Sequence, residues 1–123
     1  MEDITALEQL FEGMSINYGM LMLVVVMFIV ADFMTGIFRA YKNDGRVNSS
    51  KLRNGGFKKC GIIFVIMLGY VLSVTLNDNN FVIYHSIQAY YLYTELVSIL
   101  ENLDDLGVKL PKILEKILGK KGE

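Results

Sequence analysis

The sequence is short of the residues that catalysis and metal binding draw on. Its 123 residues include one cysteine, one histidine and one proline. Cys60 cannot close a disulfide within the chain and cannot make a metal site by itself, and His85 stands equally alone. No nucleophile is spaced with a base, no ligand spacing marks a metal, and no glycine-rich loop is set to cradle phosphate, so the expectation is a non-enzyme without metal or cofactor. Charge is scarce as well: 20% of residues are Asp, Glu, Lys or Arg, against 53% in the apolar set, and the mean hydropathy is +0.40. A small domain hides only about two-thirds of its surface, so in water this composition would leave large sticky patches exposed. The better solvent is a bilayer. Three helices of about 20 residues would take up roughly half the chain, which leaves room for connectors and tails around a single domain.

Three segments are candidates to span. Residues 18–38 form a run of 21 with Asp32 as the only charge, and the acidic segment before it does not suit a cleaved signal peptide. Residues 60–76 give 17 more without a charge, extendable to Phe57 if Lys58 and Lys59 snorkel. Asn77, Asp78, Asn79 and Asn80 then compete for backbone hydrogen bonds and predict an outer turn at 77–80. Residues 81–100 contain no Lys or Arg but include polar groups; at 100° per residue His85, Gln88, Tyr91, Glu95, Ser98 and Asn102 fall in one sector. Such a stripe suits a span if it faces other helices or water; the alternative is a helix lying in the interface. The expected fold class is therefore an all-α membrane protein of three transmembrane helices. A short amphipathic N-terminal segment (Ile4, Leu7, Phe11 and Met14 on one side) precedes them, and an amphipathic C-terminal helix starts near Pro111.

The charges are segregated along the chain. Residues 1–17 carry four acids and no cation, whereas 39–59 carry Arg39, Lys42, Arg46, Lys51, Arg53, Lys58 and Lys59 against Asp44 alone. Short cationic loops stay in the cytoplasm, so 39–59 is predicted inside, the N-terminus outside and, after three spans, the tail 101–123 inside. Asn54, Gly55 and Gly56 predict a turn before the second helix. Lys112, Lys116, Lys120 and Lys121 predict contact between the tail and anionic lipid, unless that helix folds onto its own bundle. Lipid contact accounts for the basic segments without a nucleic-acid partner.

Asp32 is the costliest residue to bury, about 21 Å into the first helix at 1.5 Å per residue, and Glu95 lies at similar depth in the third. Asp32, Thr35, Gly36 and Arg39 share a helix face, where small residues would let a second helix approach while Asp32 finds donors. Arg39, Lys58 or Lys59 could neutralise either acid. Three readings stay open: packing groups between helices, the lining of a pore formed by several copies, and a proton or ion relay. His85 with Gln88 reads as an interfacial hydrogen-bonding pair, and Tyr90, Tyr91 and Tyr93 as bundle packing or lumen lining.

Four motifs stand in a fixed order: Asp32-Phe33-Met34-Thr35-Gly36 followed by Arg39 and Ala40; Ser49-Ser50-Lys51 leading to Gly55-Gly56-Phe57-Lys58-Lys59; residues 93–102 (YTELVSILEN); and Gly107-Val108-Lys109-Leu110-Pro111 before a lysine-rich tail. In these the chain resembles the bacteriophage holins of the small three-span type, which include toxin-release holins of clostridia. The resemblance implies a homo-oligomer in the host cytoplasmic membrane that opens timed lesions for an endolysin or toxin, and an antiholin as either a partner or a rival identity. A small ion channel or transporter subunit and a membrane scaffold are the other readings.

Overall fold

The computed structural model describes residues 18–119, and among these every regular element is helical. Helix α1 spans Tyr18–Asp44, α2 Ser49–Thr75, α3 Val82–Asp105 and α4 Lys112–Ile117. The amphipathic N-terminal stripe, Lys120 and Lys121 lie outside the described residues.

The connector between α1 and α2 is residues 45–48 only, and this corrects the expected loop at 39–59. Most of that segment is helix. The expected turn at Asn54, Gly55 and Gly56 is instead the second turn of α2, because Asn48 caps the helix earlier: its side-chain oxygen accepts the amides of Ser50 at 2.9 Å and Lys51 at 3.4 Å. Continuing the helix satisfies the backbone of these poor helix formers, and Gly55 lies where an added Cβ would meet the Phe33 ring at 3.8 Å. All of the basic residues at 39–59 but Arg46, which lies in the connector, thus stand on two helical extensions.

The turn at 77–80 forms where expected. Asn77 and Phe81 both take left-handed backbone angles, φ 55° and 52°. The first amides of α3 are satisfied by side chains from before the helix: Asp78 Oδ2 accepts Ile83 N–H at 2.8 Å, and Ser73 Oγ, from the last turn of α2, accepts Tyr84 N–H at 3.1 Å. The Tyr70 ring stacks on Phe81 with centroids 5.5 Å apart. The Ile83 amide, with lesser help from Val82 and Ser73, holds the Asp78 carboxyl below its ordinary pKa. A carboxyl depressed in the fold stabilises it above the unfolded value, about 3.9, and the contribution is lost as pH falls through the lower folded value. Acidification through that range should shift the Ile83 amide resonance, and Asp78→Asn should abolish the shift; an unchanged titration in the variant would assign it elsewhere.

Helix α3 packs on both α1 and α2, which touch each other little. Val25 and Ile29 of α1 and Ile66 of α2 form the buried centre, with Met22, Ile62, Ile63, Tyr84, Ile87, Tyr91 and Leu92 around them. Gly69 brings α2 against α3: a Cβ there would stand 2.7 Å from Ile87 Cδ1. Toward the 45–48 connector, α1, α2 and α3 line a cleft of about 340 Å³. Large apolar side chains cover the outside, among them Leu23, Met27, Val30, Met34 and Phe38 of α1 and Phe57, Phe64, Leu68 and Val71 of α2. Helices α1 and α2 are long and apolar enough to cross a membrane. Tyr90 and Tyr93, expected in the packing or a lumen, point outward because they sit opposite the polar stripe of α3, whereas Tyr91 packs on the core. The short α4 follows Pro111, its N-cap, close to where expected, and folds partly back: Leu110 is buried, Leu118 lies beside Arg39 and Glu101, and Ile113, Lys112 and Lys116 stay exposed.

Candidate functional site

The polar stripe of α3 faces inward. Gln88, Glu95 and Asn102 are 0%, 4% and 6% exposed, seven residues apart in turn, so each returns to nearly the same angle on the helix. His85, Tyr91 and Ser98 flank them, half-buried.

At the centre three ionisable groups meet, one from each long helix. Lys59 Nζ donates to Asp32 Oδ2 at 2.5 Å and to Glu95 Oε2 at 2.7 Å, with both carboxylates nearly enclosed. An ammonium between two acids offsets part of the cost of burying each, which separate charges in hydrocarbon would bear in full. Of the three cations that could have met Asp32 and Glu95, helix phase selects Lys59. It lies on the α2 face that carries Ile62, Ile66, Gly69 and Ser73, whereas Lys58 points outward.

Asn102 closes the other side. Its Nδ2 donates to Asp32 Oδ1 at 3.1 Å and to Thr35 Oγ1 at 3.0 Å, and its Oδ1 accepts from Arg39 Nη1 at 3.3 Å. Thr35 in turn donates to Ala31 C=O at 2.8 Å, and a Cβ on Gly36 would already touch Asn102 at 3.8 Å. The face of Asp32, Thr35, Gly36 and Arg39 is thus the one that receives α3. Arg39 does not reach either acid of the triad; its Nε binds Asp105 Oδ2 at 2.7 Å, where Asn43 Nδ2 also donates at 3.0 Å and Lys42 Nζ reaches the Asp105 carbonyl at 2.9 Å. Asn43 and Arg39 together hold the Asp105 carboxyl below its ordinary pKa. This clasp was not legible in the sequence, because Asp105 lies among other acids with no period to single it out.

Further along α3, His85 Nδ1 lies 2.9 Å from Gln88 Oε1, and Gln88 Nε2 donates to Met22 Sδ at 3.7 Å. Of the basic residues, Lys51 and Lys59 line the cleft with Asp32, Asp44, Asn48, Ser98 and Asn102; Arg53 and Lys58 are exposed, and Arg46 stands at the mouth with Lys51. The cleft therefore runs from the connector end of the bundle to Asp32 and Lys59 of the triad.

The model of the bacteriophage holin family matches residues 9–121. Similar proteins include an uncharacterised 14.9 kDa protein encoded in the nagH 3′ region of Clostridium perfringens, 32% identical over 94% of this chain and 86% of that protein. A second uncharacterised protein of C. perfringens is 33% identical over 82% and 74%, and one of Listeria monocytogenes 32% identical over 80% and 69%. No solved structure matches the chain. A match running from before α1 to beyond α4, on a helical chain with two helices apolar enough for a bilayer, makes this protein a member of the bacteriophage holin family.

Proposed function

We propose that the chain is a holin: copies assemble in the bacterial cytoplasmic membrane and at a set time open lesions through which an endolysin, or a toxin, leaves the cytoplasm. The observation that carries this reading is the family match over nearly the whole chain. It also supports a single membrane domain with α3 as a third span, the N-terminus outside and the lysine-rich tail inside with the basic helical extensions. The stripe buried on α3 supplies the physical device. A separate bundle hides Asp32, Glu95, Gln88 and Asn102 between its own helices, while a large assembly can turn them toward water. Two packings of similar free energy make a switch. Loss of the membrane potential tips it when charged groups shift within the field, at about 2.3 kcal/mol per charge per 100 mV.

Expression in bacteria tests the function. A holin causes abrupt depolarisation and, with an endolysin present, lysis; a channel subunit passes ions without releasing protein, and a scaffold or antiholin leaves the membrane tight. A reporter fused to the C-terminus reads active inside if α3 spans and outside if it does not. Asp32→Asn and Glu95→Gln should each change the time of lysis by altering the balance between the two packings, with membrane insertion retained. Unaltered timing in both variants would remove the triad from the switch.

A further inference from the structure

The outward faces of the three long helices differ in kind. That of α1 is apolar throughout its membrane length, at home against lipid tails. That of α3 is not: Tyr90 and Tyr93 are 57% and 58% exposed near the depth of the triad, and Glu101 is exposed further along the same stripe. Phenol hydroxyls facing outward there want partners that hydrocarbon does not provide.

Helix α2 carries the complement at matching depth. The Lys59–Glu95 bond sets these two residues level, and α2 and α3 run antiparallel, so residues an equal number of positions away on opposite sides share a depth. Arg53, six before Lys59, is level with Glu101, six after Glu95, both about 9 Å further along. Gly61 is level with Tyr93, and Phe64 with Tyr90. At 100° per residue Arg53, Gly61 and Phe64 lie on one face of α2, opposite Lys59, Ile66 and Ser73, and all three are exposed. Gly61 has open space where a side chain would be. Opposite charge meets opposite charge, and the bulk of Tyr93 meets a gap.

We infer that neighbouring copies of this chain dock side by side, the outward stripe of α3 on one copy against the outward stripe of α2 on the next, with Glu101 on Arg53, Tyr93 over Gly61 and Tyr90 against Phe64. All copies share one orientation in a membrane, so the depth match within a copy is also the match between copies. The contact is head to tail, since each copy offers a different face on either side, and it propagates into rings or arrays rather than stopping at a pair. This rests on the proposed assembly of copies and names its interface.

The native Cys60 is exposed on the same side of α2, next to Gly61, and serves as a reporter. Tyr93→Cys in the full chain, oxidised in native membranes, should give a disulfide ladder of dimers, trimers and larger species, which Cys60→Ser in the same chain cuts back to dimers at most. Val30→Cys, at nearly the depth of Cys60 but on the outward face of α1, should give no ladder. A ladder from Val30→Cys and none from Tyr93→Cys overturns the assignment, as does a Tyr93→Cys product that stops at dimers. Should Tyr93→Cys fail to insert, Glu101→Arg should abolish the larger species trapped by an amine-reactive crosslinker, and adding Arg53→Glu should restore them. If the unaltered chain is trapped as oligomers that neither approach affects, the interface is wrong while assembly stands; if nothing is trapped, both fall.

Discussion

Lys59→Met should destabilise the bundle by about 3–5 kcal/mol, the penalty typical of removing one partner from a buried ion pair, because it strands Asp32 and Glu95 beside each other. The remaining donors to Asp32, chiefly Asn102, cannot replace a full charge. Reversible unfolding in detergent micelles, followed by circular dichroism, measures the loss. The triple variant Lys59→Met with Asp32→Asn and Glu95→Gln should recover most of it, since no charge is then left to satisfy. A single variant as stable as the parent, or a triple variant no better than the single, would show that the ammonium does not hold the helices together.

The second large effect is steric and lies away from the triad. Gly69→Leu pushes a branched side chain into a place where even a Cβ stands 2.7 Å from Ile87 Cδ1, and overpacking of this kind costs about 1–3 kcal/mol. The same micelle assay should show it, together with an altered environment for Tyr84, whose amide is held by Ser73 one turn beyond Gly69. Because the obstruction is one side chain, Ile87→Ala should make room and return part of the stability. Additive losses in the double variant would mean that the two positions do not share the space.

These residues also mark what could be read before the fold was known. The apolar runs and the 100° period of α3 were visible as pattern, and they place Gln88, Glu95 and Asn102 on one buried face. The partner of the acids was not, because Arg39, Lys58 and Lys59 carry the same charge; the phase of α2 separates Lys59 from Lys58, and Asp105 engages Arg39 further along. That phase was hidden by Asn54-Gly55-Gly56, a local signal for a turn that Asn48 and the Phe33 contact override. Of the two readings of Tyr90 and Tyr93, packing within the bundle is the one that fails, because their angle on the helix puts them outside it.

The cleft that ends on Lys59 has a volume equal to about ten waters at their share of the liquid. Hydrated, and opening inside as proposed, it is a high-dielectric inlet that carries the cytoplasmic voltage inward to its floor, so nearly all of the remaining drop falls between the triad and the outer turn. Electrical distance and physical distance then part company. An ammonium sliding back along such an inlet would cross almost none of the voltage, whereas the same displacement toward the exterior would cross a compressed gradient.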